Sequence, residues 1–134
     1  MRNITARAWD SLLATQSDPT PFMRHAYLSA MEESASASPE TGWTPRVLSI
    51  RHKDSPQEAP LAAAAVLYIK PHSYGEYVFD WAWADAYQRH GLNYFPKAVG
   101  AVPFTPVPGS RLLADSPESK ACLIESMVAL AQLH

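Results

Sequence analysis

A chain of 134 residues, 47% hydrophobic and 18% charged, is long enough to bury the core of one domain but short for most complete enzymes. Its net charge of -2 and pI near 6.2 exclude the basic footprint of a nucleic-acid surface, so no DNA partner is expected, and its hydrophobic content excludes a disordered acidic tail. Cys122 is alone and cannot close an internal disulfide. MRNITARAWDSLL lacks the apolar run of a signal peptide, and no window reaches the ~18 apolar residues of a membrane span, so the expectation is a soluble, unprocessed, cytoplasmic protein.

In chain order, Trp9, Leu12 and Leu13 predict a first helix over 8–14 that SDPTP ends. Thr20 as N-cap and Pro21 at the first helical position predict a second helix reaching Ser34, with Phe22, Ala26, Tyr27, Ala30 and Met31 on one face. SASASPETGW reads as a loop. TPRVLSIRH then alternates, with Leu48, Ile50 and His52 on one side and Val47, Ser49 and Arg51 on the other. LAAAAVLYIK is apolar on both faces, as in a strand covered on both sides. A helix is the competing reading of its alanines, but Pro60, Pro71 and the β-rich end Val66 to Ile69 favour the strand, paired as a hairpin with the one before it.

Glu76 and Asp80, four residues apart, would share one face of a helix. Strand pairing over EYVFDWAW would also join them, placing Glu76, Val78, Asp80, Ala82 and Ala84 on one face and Tyr77, Phe79, Trp81, Trp83 and Asp85 on the other. RHGLNYFPK follows as a connection. Val99, Ala101 and Val102 predict a strand frayed by Pro103, Pro106 and Pro108, and Ser116, Pro117 and Glu118 open a last helix with a wide apolar face. Cys122, inside that apolar pattern, reads as a small buried hydrophobe. The element order is that of a mixed α/β (α+β) sandwich, with a mainly antiparallel sheet flanked by helices. Its second half would normally continue, so an incomplete domain is expected.

The histidines lack the tight spacing of a zinc site, and no metal is expected. No GxSxG, GxGxxG or GxxxxGK[ST] occurs, so nucleophile elbows and phosphate cradles are absent from the sequence. PVPGSRLL places a glycine and Arg111 just before a helix N-terminus, where an anion can be received; the bland alternative is a proline-rich turn with an exposed arginine. Three carboxylates, Glu76, Asp80 and Asp85, lie in the aromatic run YGEYVFDWAWADAY. Each is either a base with a raised pKa beside an aromatic wall or the ion-pair partner of Lys70, Arg89 or Lys97.

PFMRHAYLSAMEES, GWTP and YIKPHSYGEYVFDWAWADAYQRHGLNYFPKAVGAVPFTPVPGSRLL together resemble the N-terminal portion of the bacterial FemAB-like, or peptidoglycan biosynthesis/recognition, family, which is grouped with the GNAT acyltransferases. The resemblance implies a GNAT-like fold, in which two helices precede an antiparallel sheet. It also implies that residues 1–134 are a single N-terminal domain truncated at its C-terminal end, since members are generally longer and contain two GNAT-like halves. The implied reaction is transfer of an acyl or aminoacyl group to an amine, from acyl-CoA or aminoacyl-tRNA as donor substrate, to a small-molecule or cell-wall precursor acceptor.

No catalytic residue is carried over from the family. Glu76, Asp80 and Asp85 are catalytic candidates by their chemistry, and Tyr74, Trp81, Trp83 and Arg111 are substrate-binding candidates. The alternative from another class is a non-catalytic recognition or assembly module. It would bind cell-wall precursors or form a homo-oligomer through an open sheet edge.

Overall fold

The structure, a computed structural model, describes residues 1–53, 56 and 59–133. Helix α1, Ala6–Ala14, starts where Thr5 accepts a hydrogen bond from the Ala8 amide, and it buries Trp9, Leu12 and Leu13. The expected second helix is divided. Pro21–Met23 forms a 3-10 turn, Arg24 is extended, and helix α2 runs His25–Glu33. Two hydrogen bonds from α1 account for the break. Trp9 Nε1 donates to Met23 O at 2.7 Å, and Asp10 Oδ1 accepts from the His25 amide at 2.9 Å, so tertiary partners serve the backbone groups that one continuous helix would have used.

Strand β1, Thr44–Ile50, pairs antiparallel with β2, Ala63–Lys70, in the expected hairpin. Every residue of β2 is buried. Its alternation serves two cores: Ala64, Val66 and Tyr68 pack with Trp9, Leu28 and Trp43, while Ala63 and Ala65 meet Leu123 of helix α4, Pro117–Ala131. The alanines let α4 approach the sheet closely, so the strand reading of this run holds over the helix reading.

Strand β3, Lys97–Val99, pairs with the C-terminal end of β2, and β4, Leu113–Ala114, with its N-terminal end. The result is a four-stranded antiparallel sheet between helices. The proline-rich stretch leaves the sheet earlier than expected, after Val99. Leu113, at the end of the PVPGSRLL segment that the sequence offers as an anion site or a proline-rich turn, instead joins Ala114 in pairing with Ala64 and Ala63 at the edge of β2.

Two further expectations are corrected. Residues 76–84 do not form a strand: Glu76 closes a turn onto Ser73 O, and helix α3, Trp81–Arg89, begins after Asp80. Gly75, at φ +82°, supplies the turn, and Ala82, Ala84 and Ala86 give the following residues helix propensity, so the period-two division into faces does not apply. Cys122 is exposed rather than buried, because α4 turns Leu123 inward and its neighbour is rotated ~100° away. Ile124 and Val128 of the expected apolar face also remain exposed. Among the described residues no helix is long and apolar enough to cross a membrane.

Candidate functional site

The segment between β2 and β3 carries the chemistry. It leaves the sheet at Lys70, turns through Ser73 and Gly75, forms α3 and returns at Lys97, so the two lysines sit opposite each other in register on adjacent strands. That register gathers the carboxylates. Lys97 Nζ donates to Glu76 Oε2 at 2.7 Å and also to Asp80 Oδ2, to which Tyr94 OH donates at 2.8 Å. Lys70 Nζ stands 3.8 Å from Glu76 Oε1, donates to Gly42 O and Tyr74 O, and lies 3.6 Å from the centroid of Trp43. Glu76 and Asp80 are thus neighbours through a shared ammonium, rather than through one face of a strand or helix.

The electrostatics follow from this pairing. The hydrogen bond from Lys97 holds the Asp80 carboxyl below its usual range; partial burial opposes this and Tyr94 assists it. Burial pulls Lys97 down, but its bonds to Asp80 and Glu76 outweigh that and leave it raised. Burial also pulls Lys70 down, with Glu76 opposing and the like charge of Lys97 assisting. The Tyr94 phenol is pushed up by burial and by the Asp80 carboxylate it faces. Asp80 therefore remains an anion at neutral pH.

A pocket of about 320 Å³ opens beside Asp80, between the Ser73 turn and α3. Tyr74, Phe79, Trp81 and Phe95 supply its apolar walls, and Asp80 and Asp85 its carboxylates. His72, Tyr74, Phe79 and Trp81 follow one another in edge-to-face contacts of 5.0, 6.2 and 5.9 Å, a geometry favoured by aromatic quadrupoles. Trp81 is 70% and Tyr74 65% exposed, so these rings form a surface wall rather than core.

Five of the seven candidate residues meet around this pocket. Asp80, Asp85, Tyr74 and Trp81 line it directly, and Glu76 stands behind it through Lys97. Asp85 pairs with Arg89 one helical turn on, outside the lysine cluster. Trp83 is exposed elsewhere on α3. Arg111 lies in a separate groove and donates to Val107 O. The α4 N-terminus beyond it is capped by Ser116, whose hydroxyl accepts from the Ser119 amide at 3.1 Å.

The ion-pair alternative named Lys70, Arg89 and Lys97 without dividing them among the carboxylates; the structure pairs Glu76 with Lys97 and Lys70, Asp80 with Lys97 and Asp85 with Arg89. Tyr94, Trp43 and Phe95 were not singled out one by one. They sit in the GWTP and YFPK motifs, so their signal was present without a position in space. Among the described residues no group of three or more His, Cys, Asp or Glu side chains is placed to hold a metal ion.

No curated protein and no solved structure matches the chain. The model of the FemAB-like family, described as peptidoglycan biosynthesis/recognition, matches residues 1–134. The match spans the sheet, the lysine–carboxylate cluster and the aromatic pocket alike, and the chain belongs to the FemAB-like family of peptidoglycan biosynthesis/recognition proteins.

Proposed function

We propose that the chain is the acceptor-binding part of a GNAT-like acyltransferase, which passes an acyl or aminoacyl group from acyl-CoA or aminoacyl-tRNA to an amine in peptidoglycan biosynthesis. In that reaction the bound ammonium first gives a proton to a base, the free amine nitrogen then attacks the donor carbonyl, the C–N bond forms as the thioester or ester bond breaks, and the leaving CoA sulfur or tRNA ribose oxygen departs with the second amine proton. One observation carries the reading. Asp80, kept ionised by Lys97 and Tyr94, stands at the wall of an open aromatic pocket. An ammonium group is drawn to such a carboxylate, and the faces of Tyr74 and Trp81 favour a cation with an apolar stem.

The lowered pKa assigns Asp80 a particular part. A carboxylate this acidic is a weak base, so Asp80 holds and orients the ammonium, and Asp85 adds negative charge at the rim. Glu76 balances the two lysines and keeps the floor of the site rigid. Its role is positioning. Donors of either kind are cytoplasmic metabolites, and the reading places the protein there.

The test uses the complete natural protein with an amine acceptor and each donor in turn. Trp81→Ala removes an exposed wall without touching the core, and is expected to raise KM for the amine about tenfold at unchanged Tm. Asp80→Asn is expected to raise it further. Absence of transfer from both donors in the unsubstituted protein would sink the reading.

A further inference from the structure

The aromatic pocket presents more ring surface than an ion pair with Asp80 would need. Tyr74, Phe79 and Trp81 border one cavity of about 320 Å³, at the small end of ligand pockets and suited to a head group rather than a large molecule. Tyr74 and Phe79 meet at 6.2 Å with their planes 76° apart, and Phe79 and Trp81 meet at 5.9 Å, again at 76°. Two rings set nearly at right angles make a corner with a face on each side. At these spacings a cation in the corner stands within about 6 Å of both ring centres, which is the range of a cation–π contact. Phe79 is 44% exposed, and Tyr74 and Trp81 more so, and all three rings line the same cavity, so the corners open to solvent rather than into the core.

These faces are unoccupied. Among the described residues the cations over aromatic rings are Lys70 at Trp43 and Lys97 at Tyr94 and Phe95, and none stands over Tyr74, Phe79 or Trp81. The carboxylates are in the opposite condition: Asp80 Oδ2 already accepts from Lys97 and Tyr94, and Asp85 Oδ2 is paired with Arg89. A primary ammonium is a compact, strongly hydrated charge with three N–H donors, so leaving water for this pocket sets it in competition with those partners. An ammonium whose hydrogens are all replaced by carbon has no donors to satisfy and is attracted by the ring faces themselves.

We propose that this pocket selects a quaternary ammonium group of the choline class, with its methyl groups against Tyr74, Phe79 and Trp81 and its charge toward Asp80. The inference rests on the reading of the pocket as an ammonium site and names the kind of ammonium it prefers. A quaternary nitrogen has neither a lone pair nor a proton to lose. Such a group is therefore recognised without being acylated, and it excludes the acceptor amine while bound.

The test titrates the complete natural protein into each of three probes and follows the probe by proton NMR. Choline carries the charged trimethyl head, 3,3-dimethylbutan-1-ol is its uncharged isostere, and ethanolamine is choline without its methyl groups. Choline is expected to bind saturably at millimolar concentration, with its methyl resonance moving upfield over the ring faces, and about tenfold tighter than either control. Trp81→Leu keeps an apolar wall but removes a face, and is expected to weaken choline about tenfold while leaving the uncharged isostere unchanged.

Equal binding of the uncharged isostere would make the pocket a plain apolar cleft, and full-strength choline binding in Trp81→Leu would remove that ring as the cause; either result overturns the proposal. Ethanolamine binding as tightly as choline also overturns it, but leaves the ammonium reading of the pocket standing. If neither choline nor ethanolamine binds, both fall together. Choline binding in a protein that transfers from neither donor is the reverse case, in which the reaction falls and the quaternary-ammonium site stands. Should Trp81→Leu fail to fold, the three probes on the unsubstituted protein decide alone.

Discussion

The two halves of this chain are held together by different physics. Around β2, residues such as Trp9, Leu113 and Leu123 are 0% exposed and alternate alanines seat helices on both faces, so burial of apolar surface fixes the geometry. From Tyr74 to Phe95 the balance reverses. Helix α3 buries no residue, large aromatics face solvent, and the segment is tied to the sheet by Lys97, Lys70 and their carboxylate and carbonyl partners. A scaffold built by burial tolerates little change, whereas an arm held by a few charged bonds can be released without unfolding what it stands on.

Three substitutions or conditions break the halves apart. Leu123→Ala opens a cavity between α4 and the alanines of β2 and is expected to cost about 3 kcal/mol in global stability, read by urea unfolding followed in far-UV circular dichroism. Lys97→Met leaves Glu76 and Asp80 facing each other without their shared ammonium. About 2 kcal/mol is expected, lost chiefly within the arm: amide exchange should quicken from Tyr74 to Tyr94 while β2 stays protected. Equal acceleration in β2 would show that the arm and the scaffold are one cooperative unit.

Acidification is the mildest of the three. Asp80 has a lowered pKa in the folded chain, so its contribution is fully present above the ordinary aspartate value of about 4 and is lost as pH falls through the lowered value. The indole fluorescence of the exposed Trp81 and Trp83 should therefore change at a lower pH than an unpaired aspartate would dictate. The same change should move up toward ordinary aspartate titration in Lys97→Met. An unmoved midpoint would remove Lys97 as the cause of the shift.

Legibility in the sequence followed the same division. The doubly apolar run of β2 and the Ser116–Pro117 start of α4 reported burial and capping, both of which are local rules acting on local residues. Strand β1, by contrast, forms without the expected alternation: all of it but the exposed Ser49 is half-buried, Val47 against one core and Leu48 and Ile50 against the other. The arm misled because aromatic residues at alternate positions look like a half-buried strand, while Ala82, Ala84 and Ala86 between them carry helix propensity. With no core partner to impose an extended backbone, propensity prevailed. The division of the second helix at Arg24 was hidden for the opposite reason: its cause, Trp9 and Asp10, lies on another helix.

The sequence by itself determined the family, the hairpin at the centre of the sheet, the capped last helix and the set of carboxylates, lysines and aromatics from which a site could be made. Only the tertiary structure decided how that set divides. Pairing of Lys70 with Lys97 across β2 and β3 joins Glu76 to Asp80, Arg89 draws Asp85 to the rim, and the turn at Gly75 sends Trp81 to one pocket while Trp43 and Arg111 border another. The reason is range. Capping and periodicity act within a few residues, but a charge cluster is made by strand register, which joins positions more than twenty residues apart and leaves no mark in any one stretch of sequence.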